Sequence, residues 1–145
     1  MLSKILLSTL FISPAYFSSS MHYVNKKLAP YFDNYTTLVN EVCQPNQYFY
    51  PSRTMITFAN LPETVIGKCS YTPTRFVVYI DRSFFKDANE EQRNQLMAHE
   101  LRHCLFQVGH SSDDNNYMAP VFPELTTSEL YNQIYDDLYQ SCGQK

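Results

Sequence analysis

The spacing of apolar residues predicts two helices in the first three-quarters of the chain. Between Asn25 and Val42 apolar side chains recur at three- and four-residue steps, and Pro30 falls in the first turn, where proline is tolerated. A central helix begins within Asp87–Glu90, where Asp87 with Glu90 has the form of a capping box and Asn89 is the rival cap. The apolar side of this central helix is formed by Met97, Leu101, Cys104, Leu105 and Val108.

A third helix closes the chain. Thr126 and Glu129 have the T-x-x-E spacing of a capping box, in which the two side chains satisfy each other's main-chain N–H groups. The residues after them predict an amphipathic helix with one packing face. That face is predicted to contain Leu130, Ile134 and Leu138 together with the interleaved Tyr131, Tyr135 and Tyr139.

Three short strands are predicted between the first two helices. Met55–Ala59 is followed by Thr64–Tyr71, a more polar, alternating segment typical of an edge strand, in which Gly67 indicates a bulge or a close approach. Arg75–Asp81 is almost continuously apolar and β-branched, which suits a strand buried on both faces. The expected fold class is α+β: a small, mixed, twisted sheet with an N-terminal, a central and a C-terminal helix.

Composition narrows the class of protein. The 145 residues are 44% hydrophobic and 17% charged, as expected for one globular domain. The net charge is −3, and no basic run is longer than Lys26–Lys27, which argues against nucleic acid as the main partner.

The first twenty residues have the pattern of a secretory signal peptide. Lys4 precedes an apolar run from Ile5 to Ile12, and small residues follow up to Ser20. The run is too short to span a bilayer, so stable membrane insertion is not expected. We therefore expect residues 1–20 to be a signal peptide and 21–145 to be the mature domain of a secreted or periplasmic monomer. A hydrophobic first helix of the fold is the alternative.

Four cysteines are compatible with two disulfides in an exported domain. Cys43, Cys69, Cys104 and Cys142 allow three connectivities. We favour Cys43–Cys69, which would join the first helix to a strand, and Cys104–Cys142, which would join the central helix to the last one. The alternative is that Cys104 is a small buried apolar residue without a partner.

The chemistry of the chain is concentrated in the central helix. His99, Glu100 and His103 form the H-E-x-x-H motif, in which residues i and i+4 present two imidazoles on one helix face. Glu100 is rotated by about 100° from His99 and is placed to accept a proton from water at the metal instead of binding the ion. His110 is the candidate third ligand, and Gly109 is the residue best able to reverse the chain before it. The alternative is a surface helix that carries two histidines by chance.

The segment after the motif resembles the metzincin zinc peptidases, and most closely their matrixin-like branch. The residues that carry this resemblance are the run 109–113, Met118 eight residues after His110, and Pro120. The resemblance implies that His99, His103 and His110 bind Zn²⁺ and that Glu100 is the general base. It further implies that Met118 forms an apolar methionine turn below the metal, and that an extended peptide binds along the edge strand.

Two residues of the motif depart from the metzincin pattern. Phe106 occupies the position of its glycine, and His110 comes one residue late, so that the spacing is H-E-x-x-H-x-x-x-x-x-x-H. Arg102 replaces a common glycine and is expected to be exposed or to reach the cleft. The longer spacing, with a cysteine after the second histidine, is similar to that of small exported metallopeptidases of bacteria.

Three functions are compatible with these patterns. The first is an exported zinc-dependent endopeptidase that hydrolyses peptide bonds through a zinc-activated water and Glu100, with a peptide or protein substrate. The second is a non-catalytic, zinc-holding binding module with a degenerate protease fold. The third, a cytosolic protein with other chemistry, is disfavoured by the signal pattern and the cysteines. Tyr117 is a candidate oxyanion donor in the peptidase, although packing beside the methionine turn is the expected role.

Overall fold

A computed structural model of the chain describes residues 21–143. The predicted signal peptide lies outside the described residues. The strands of the described part are β1 (Met21–Val24), β2 (Arg53–Ala59), β3 (Gly67–Thr72) and β4 (Arg75–Asp81). Its α-helices are α1 (Ala29–Val42), α2 (Arg82–Asp87), α3 (Glu90–Phe106) and α4 (Thr127–Cys142), and a 3₁₀ turn covers Pro45–Gln47. Within residues 21–143 no helix is both long and apolar enough to cross a bilayer.

The four strands form one mixed sheet in the order β1-β2-β4-β3. β1, β2 and β4 are parallel, and β3 is antiparallel to β4 at the edge of the sheet. The predicted α+β class, the mixed sheet and the edge position of β3 are confirmed. β3 begins at Gly67, three residues later than predicted, because the main-chain N–H of Val65 donates to the carbonyl of Pro62 in the preceding turn. The strand β1 and the helix α2, both short, were not predicted.

The helices pack against one face of this sheet. Phe76, Val78 and Ile80 of β4 point into a continuous core with residues of α1, α3 and α4. Val77 and Tyr79, which alternate with them, are only half-buried. The prediction that β4 is buried on both faces was therefore wrong, because the packed helices cover one face only.

Side chains cap the helices α2 and α3 at their amino ends. Asn89, and not Asp87, caps α3, and its capping box is completed by Gln92. Asp81 caps α2: its carboxylate accepts hydrogen bonds from the main-chain N–H of Phe84 at 2.8 Å and of Leu61 at 3.0 Å. These hydrogen bonds hold the pKa of Asp81 below its usual value near 3.8, and the one from Phe84 has the largest effect. α1 begins at Ala29 instead of Asn25, because residues 25–28 form a separate turn. In this turn the carbonyl of Asn25 accepts hydrogen bonds from the main-chain N–H groups of Leu28 and Ala29.

Both disulfides exist, but their pairing differs from the prediction. Cys43 is bonded to Cys142, and Cys69 is bonded to Cys104. The predicted pairs were wrong because they assumed contacts between neighbours in the sequence. Instead, the carboxyl ends of α1 and α4 meet, and the edge strand β3 packs against α3.

The predicted packing face of α4 was half right. Leu130, Ile134 and Leu138 are buried in the core, as expected. The three interleaved tyrosines lie on the outer side of the helix and are 39–53% exposed. Residues at i and i+1 are separated by about 100° around a helix, so the two sets cannot share a face.

Candidate metal centre

The candidate metal-binding side chains are placed by α3 and by the segment that follows it. His99 and His103 are one turn apart on α3, and His110 lies beyond the end of the helix. One ligand atom from each of the three imidazoles lies within 4.8 Å of the others. The structure therefore brings together the three histidines that the sequence singled out.

The helix ends by a chain reversal at Gln107, which is in the left-handed conformation with φ 55° and ψ 38°. The main-chain N–H of Gln107 donates to the carbonyl of His103 at 3.0 Å. Gly109 does not have a positive φ, so the prediction that Gly109 reverses the chain was wrong. The reversal comes earlier, at Gln107, and residues 107–109 return the chain from the end of α3 to His110.

Main-chain carbonyls orient the two helical imidazoles. The Nδ1 atom of His99 lies 2.9 Å from the carbonyl oxygen of Tyr117, and that of His103 lies 2.6 Å from the carbonyl oxygen of Val108. Because a carbonyl only accepts, both Nδ1 atoms must carry the hydrogen, an assignment made from the hydrogen-bond partners. The sequence did not indicate either carbonyl, since main-chain partners leave no residue signature.

The two remaining ring nitrogens fit a bound cation. In these tautomers each Nε2 has a lone pair and no hydrogen, yet the Nε2 atoms of His99 and His103 are 3.0 Å apart. Two nitrogens bound tetrahedrally to one zinc ion at about 2.0–2.1 Å lie about 3.3 Å apart. A shared positive ion is the natural partner of two lone pairs that converge in this way.

Burial keeps the histidines in the neutral form that metals bind. The pKa of His99 is lowered to about 4, mainly by burial and also by the neighbouring His103 and His110, against the opposing effect of the Tyr117 carbonyl. The pKa of His103 is also lowered, again mainly by burial. Neutral imidazole is therefore the dominant form of both rings at pH 7, and no proton has to be displaced when a metal binds.

Glu100 follows His99 on α3 and lies under the edge strand. Its side chain is 5% exposed, and burial raises the pKa of its carboxyl to about 7, partly offset by a main-chain hydrogen bond from Cys69. At Gly67 a Cβ atom would lie 2.6 Å from Oε1 of Glu100. The expectation of a close approach at Gly67 is thus confirmed: β3 passes directly over the carboxylate, and a side chain at position 67 would displace it.

Tyr117 and Met118 form a turn next to His99. Met118 is buried, and its main-chain carbonyl accepts a hydrogen bond from the N–H of Ser111 at 2.8 Å. Tyr117 is fully buried, and its hydroxyl donates to Asp137 at 2.6 Å. Tyr117 is therefore unavailable as an oxyanion donor in this conformation and has the packing role that we expected.

Arg102 is not exposed, contrary to the prediction. Its side chain is 5% exposed and makes two parallel contacts with Asp137, Nε–Oδ2 at 2.7 Å and Nη2–Oδ1 at 2.9 Å. Its guanidinium also lies over the ring of Phe106. The pattern failed here because the partner of this charge is 35 residues away, on α4.

The fold and the site together define a class: a small α+β protein whose central helix and following loop are equipped to hold a metal ion. The sequence profile of the family described as "Putative phage metallopeptidase" matches residues 50–123, just over half of the chain. The chain belongs to this family, and the matched range includes Glu100 and all three clustered histidines. Membership supports a metallopeptidase, and the histidine-rich site suggests zinc as its metal. Neither a comparison with curated proteins nor one with solved structures gave a match.

Proposed function

We propose that this protein is an exported zinc-dependent endopeptidase of the metzincin type. The observation that carries the proposal is the convergence of three imidazoles, with one ligand atom of each within 4.8 Å of the others, while Glu100, which follows His99 on α3, is a buried carboxylate outside this cluster. A catalytic zinc site uses three protein ligands and leaves a fourth position for water, whereas a structural site is closed by four. His99, His103 and His110 are the proposed ligands.

Zinc bound by these ligands would supply Lewis acidity, which activates water at neutral pH and polarises the scissile carbonyl. Glu100 accepts the proton of the attacking water at a carboxylate oxygen and then passes it to the nitrogen of the leaving amine. Met118 forms the methionine turn of the proposed matrixin-like arrangement. Its burial and its place beside Tyr117, which contacts His99, support this role.

The edge strand β3 is the proposed binding site for substrate. It pairs with β4 on one side only, so its other side offers main-chain groups to an extended peptide. Gly67 brings β3 against Glu100, so a peptide added to this edge would run beside the general base.

We further propose that residues 1–20 are a signal peptide and that 21–145 are the catalytic domain. Two disulfides are compatible with an oxidising compartment, either the periplasm or the exterior.

The test compares zinc content and cleavage in three proteins: wild type, Glu100→Gln and Glu41→Gln. We expect about one zinc per chain in each of them, because Glu100 is not a ligand. Cleavage of an unfolded protein or a peptide library should fall by about 10²- to 10⁴-fold in Glu100→Gln, the usual size of a general-base contribution. Glu41 is an exposed glutamate on α1, and its replacement should leave the rate unchanged. Glutamine is used because it fills the volume of a buried carboxyl without a charge.

Two results would contradict the proposal. A wild-type protein that binds zinc but cleaves nothing in the library would be the non-catalytic binding module. A Glu100→Gln variant that cleaves at the wild-type rate would show that the proton is moved by another group.

A further inference from the structure

Tyr117 connects a proposed zinc ligand to the C-terminal helix. Its carbonyl accepts the hydrogen bond from Nδ1 of His99 at 2.9 Å. That hydrogen bond fixes both the tautomer and the ring plane of His99, and hence the direction in which its Nε2 points. The position of the Tyr117 carbonyl therefore matters to any metal held at Nε2.

Helix α4 holds Tyr117 at two points. Oε1 of Gln133 accepts from the main-chain N–H of Tyr117 at 2.8 Å, and Oδ2 of Asp137 accepts from its hydroxyl at 2.6 Å. Gln133 and Asp137 are four residues apart and so lie on one face of α4. Nε2 of Gln133 also donates to the carbonyl of Asn115 at 2.9 Å, which fixes the turn two residues upstream.

Arg102 connects these contacts of α4 to α3. It contacts both carboxylate oxygens of Asp137, at 2.7 and 2.9 Å, and also donates to Oγ of Ser141 at 2.8 Å. The path of contacts leaves α3 at Arg102, passes through Asp137 and Tyr117, and returns to α3 at His99. Each contact in it is a charged or buried hydrogen bond, so displacement of one member would be felt by the others.

We infer that Tyr117, Gln133 and Asp137 are positioning residues for the metal site, and that α4 orients His99 although it supplies no ligand. This inference rests on the proposed function, because it assumes that His99 binds zinc. It differs from a purely structural role in one respect. Loss of the Tyr117–Asp137 hydrogen bond should weaken metal binding more than loss of an equivalent hydrogen bond at the start of α3.

The chain offers a matched control for this comparison. The hydroxyl of Tyr31 donates to Oε2 of Glu90 at 2.9 Å. This is also a hydrogen bond from a tyrosine to a carboxylate, and it lies at the start of α3. Tyr31→Phe and Tyr117→Phe each keep the aromatic ring and remove one hydroxyl. Only the second lies on the path to His99.

The experiment measures the zinc dissociation constant of both variants and of wild type by competition with a chromophoric chelator. Unfolding of the zinc-free proteins is measured in parallel. We expect Tyr117→Phe to weaken zinc binding about tenfold, which is the lower end of the range for groups that orient a metal ligand. The effect is at the lower end because the hydroxyl does not contact His99 itself but holds the residue whose carbonyl does. Tyr31→Phe should stay within about twofold of wild type. The two variants should lose similar stability without metal, since each loses one hydrogen bond.

Equal zinc affinities for Tyr117→Phe and Tyr31→Phe would overturn the inference. If Tyr117→Phe does not fold, Gln133→Met decides, because it removes the acceptor for the Tyr117 N–H from a half-buried position on α4. A tenfold loss of affinity in that variant supports the inference, and an unchanged affinity overturns it. Failure of the proposed function would look different, because wild type itself would not bind zinc.

Discussion

Replacing Cys69 and Cys104 together by alanine removes the disulfide that joins β3 to α3, and replacing Cys43 and Cys142 removes the one that joins α1 to α4. The two double variants perturb the chain to similar extents. The first disulfide spans 35 residues and is nested within the second, which spans 99. The nesting shortens the loop that Cys43–Cys142 closes to about 64 residues. The chain-entropy relation then gives a loss of about 3.8 kcal/mol for Cys69–Cys104 and about 4.3 kcal/mol for Cys43–Cys142.

The two variants should differ in catalytic activity, although their losses of stability are similar. The main chain of Cys69 lowers the pKa of the Glu100 carboxyl, and Gly67 on the same strand lies directly against that carboxylate. Without the disulfide, β3 is free to move away from α3 at this point. Misplacement of a catalytic group by about 1 Å can cost about 10²-fold, so we expect kcat/KM to fall by about 10- to 100-fold in Cys69→Ala/Cys104→Ala. The Cys43–Cys142 bond is at the far ends of α1 and α4, and its loss should change kcat/KM by less than about threefold.

The assay is peptide cleavage below the unfolding transition of both variants, with unfolding followed by circular dichroism. A loss of about 4 kcal/mol is a large part of the stability of a small domain, so the folded fraction must be measured and the rates corrected for it. Equal losses of corrected activity in the two variants would refute the reasoning, because they would show that global stability and not the position of β3 controls the site.

Four further substitutions have definite expected outcomes. Gly67→Ala should reduce cleavage by about tenfold or more and leave zinc content unchanged, because the added methyl group would lie 2.6 Å from Glu100 Oε1; wild-type activity would contradict the close approach. Asp81→Ala should lower the unfolding temperature at pH 7. The folded-state pKa of Asp81 is depressed, so its stabilisation is present above pH 3.8 and is lost as the pH falls through the lower folded value. The difference from wild type in thermal unfolding should therefore shrink below that pH, and a difference that persists would contradict the charged cap. Gln107→Gly should stabilise the protein by about 1 kcal/mol in chemical unfolding, because it relieves a left-handed conformation. Gly109→Ala should leave the stability unchanged, because nothing lies within 4 Å of the added methyl group. The reverse order of stabilities would show that Gly109 makes the turn.

The parts of the site that lie within one helix were predictable because they depend on local geometry. His99 and His103 follow the four-residue repeat of a helix, and Thr126 with Glu129 caps α4 as the spacing indicated. The strand Arg75–Asp81 was predicted to the residue, since its apolar, β-branched run has no rival structure.

The parts that depend on how elements dock could not be predicted. Cys142 bonds to Cys43 across 99 residues because α1 and α4 pack together, and nothing local to either cysteine encodes that contact. Arg102 was expected to be exposed or to reach the cleft for the same reason, since a buried guanidinium needs a carboxylate, and Asp137 comes within reach only when α4 packs. Long-range pairs of this kind determine the surroundings of the site, whereas local spacing determines its ligands.

The unusual spacing before His110 follows from where the chain reverses. With Gln107 in the left-handed conformation, the next carbonyl, that of Val108, falls on Nδ1 of His103 at 2.6 Å. Two residues later the ring of His110 lies 4.8 Å from that of His103 and 5.1 Å from that of His99, measured between ring centroids. One reversal therefore both orients the second imidazole and delivers the third, and it uses residues 107–109 to do so. A spacer of six residues between His103 and His110 is the length that lets α3 run through Phe106 before the chain turns. The glycine of the shorter metzincin pattern is not needed, because here the turn is made after the helix has passed that position.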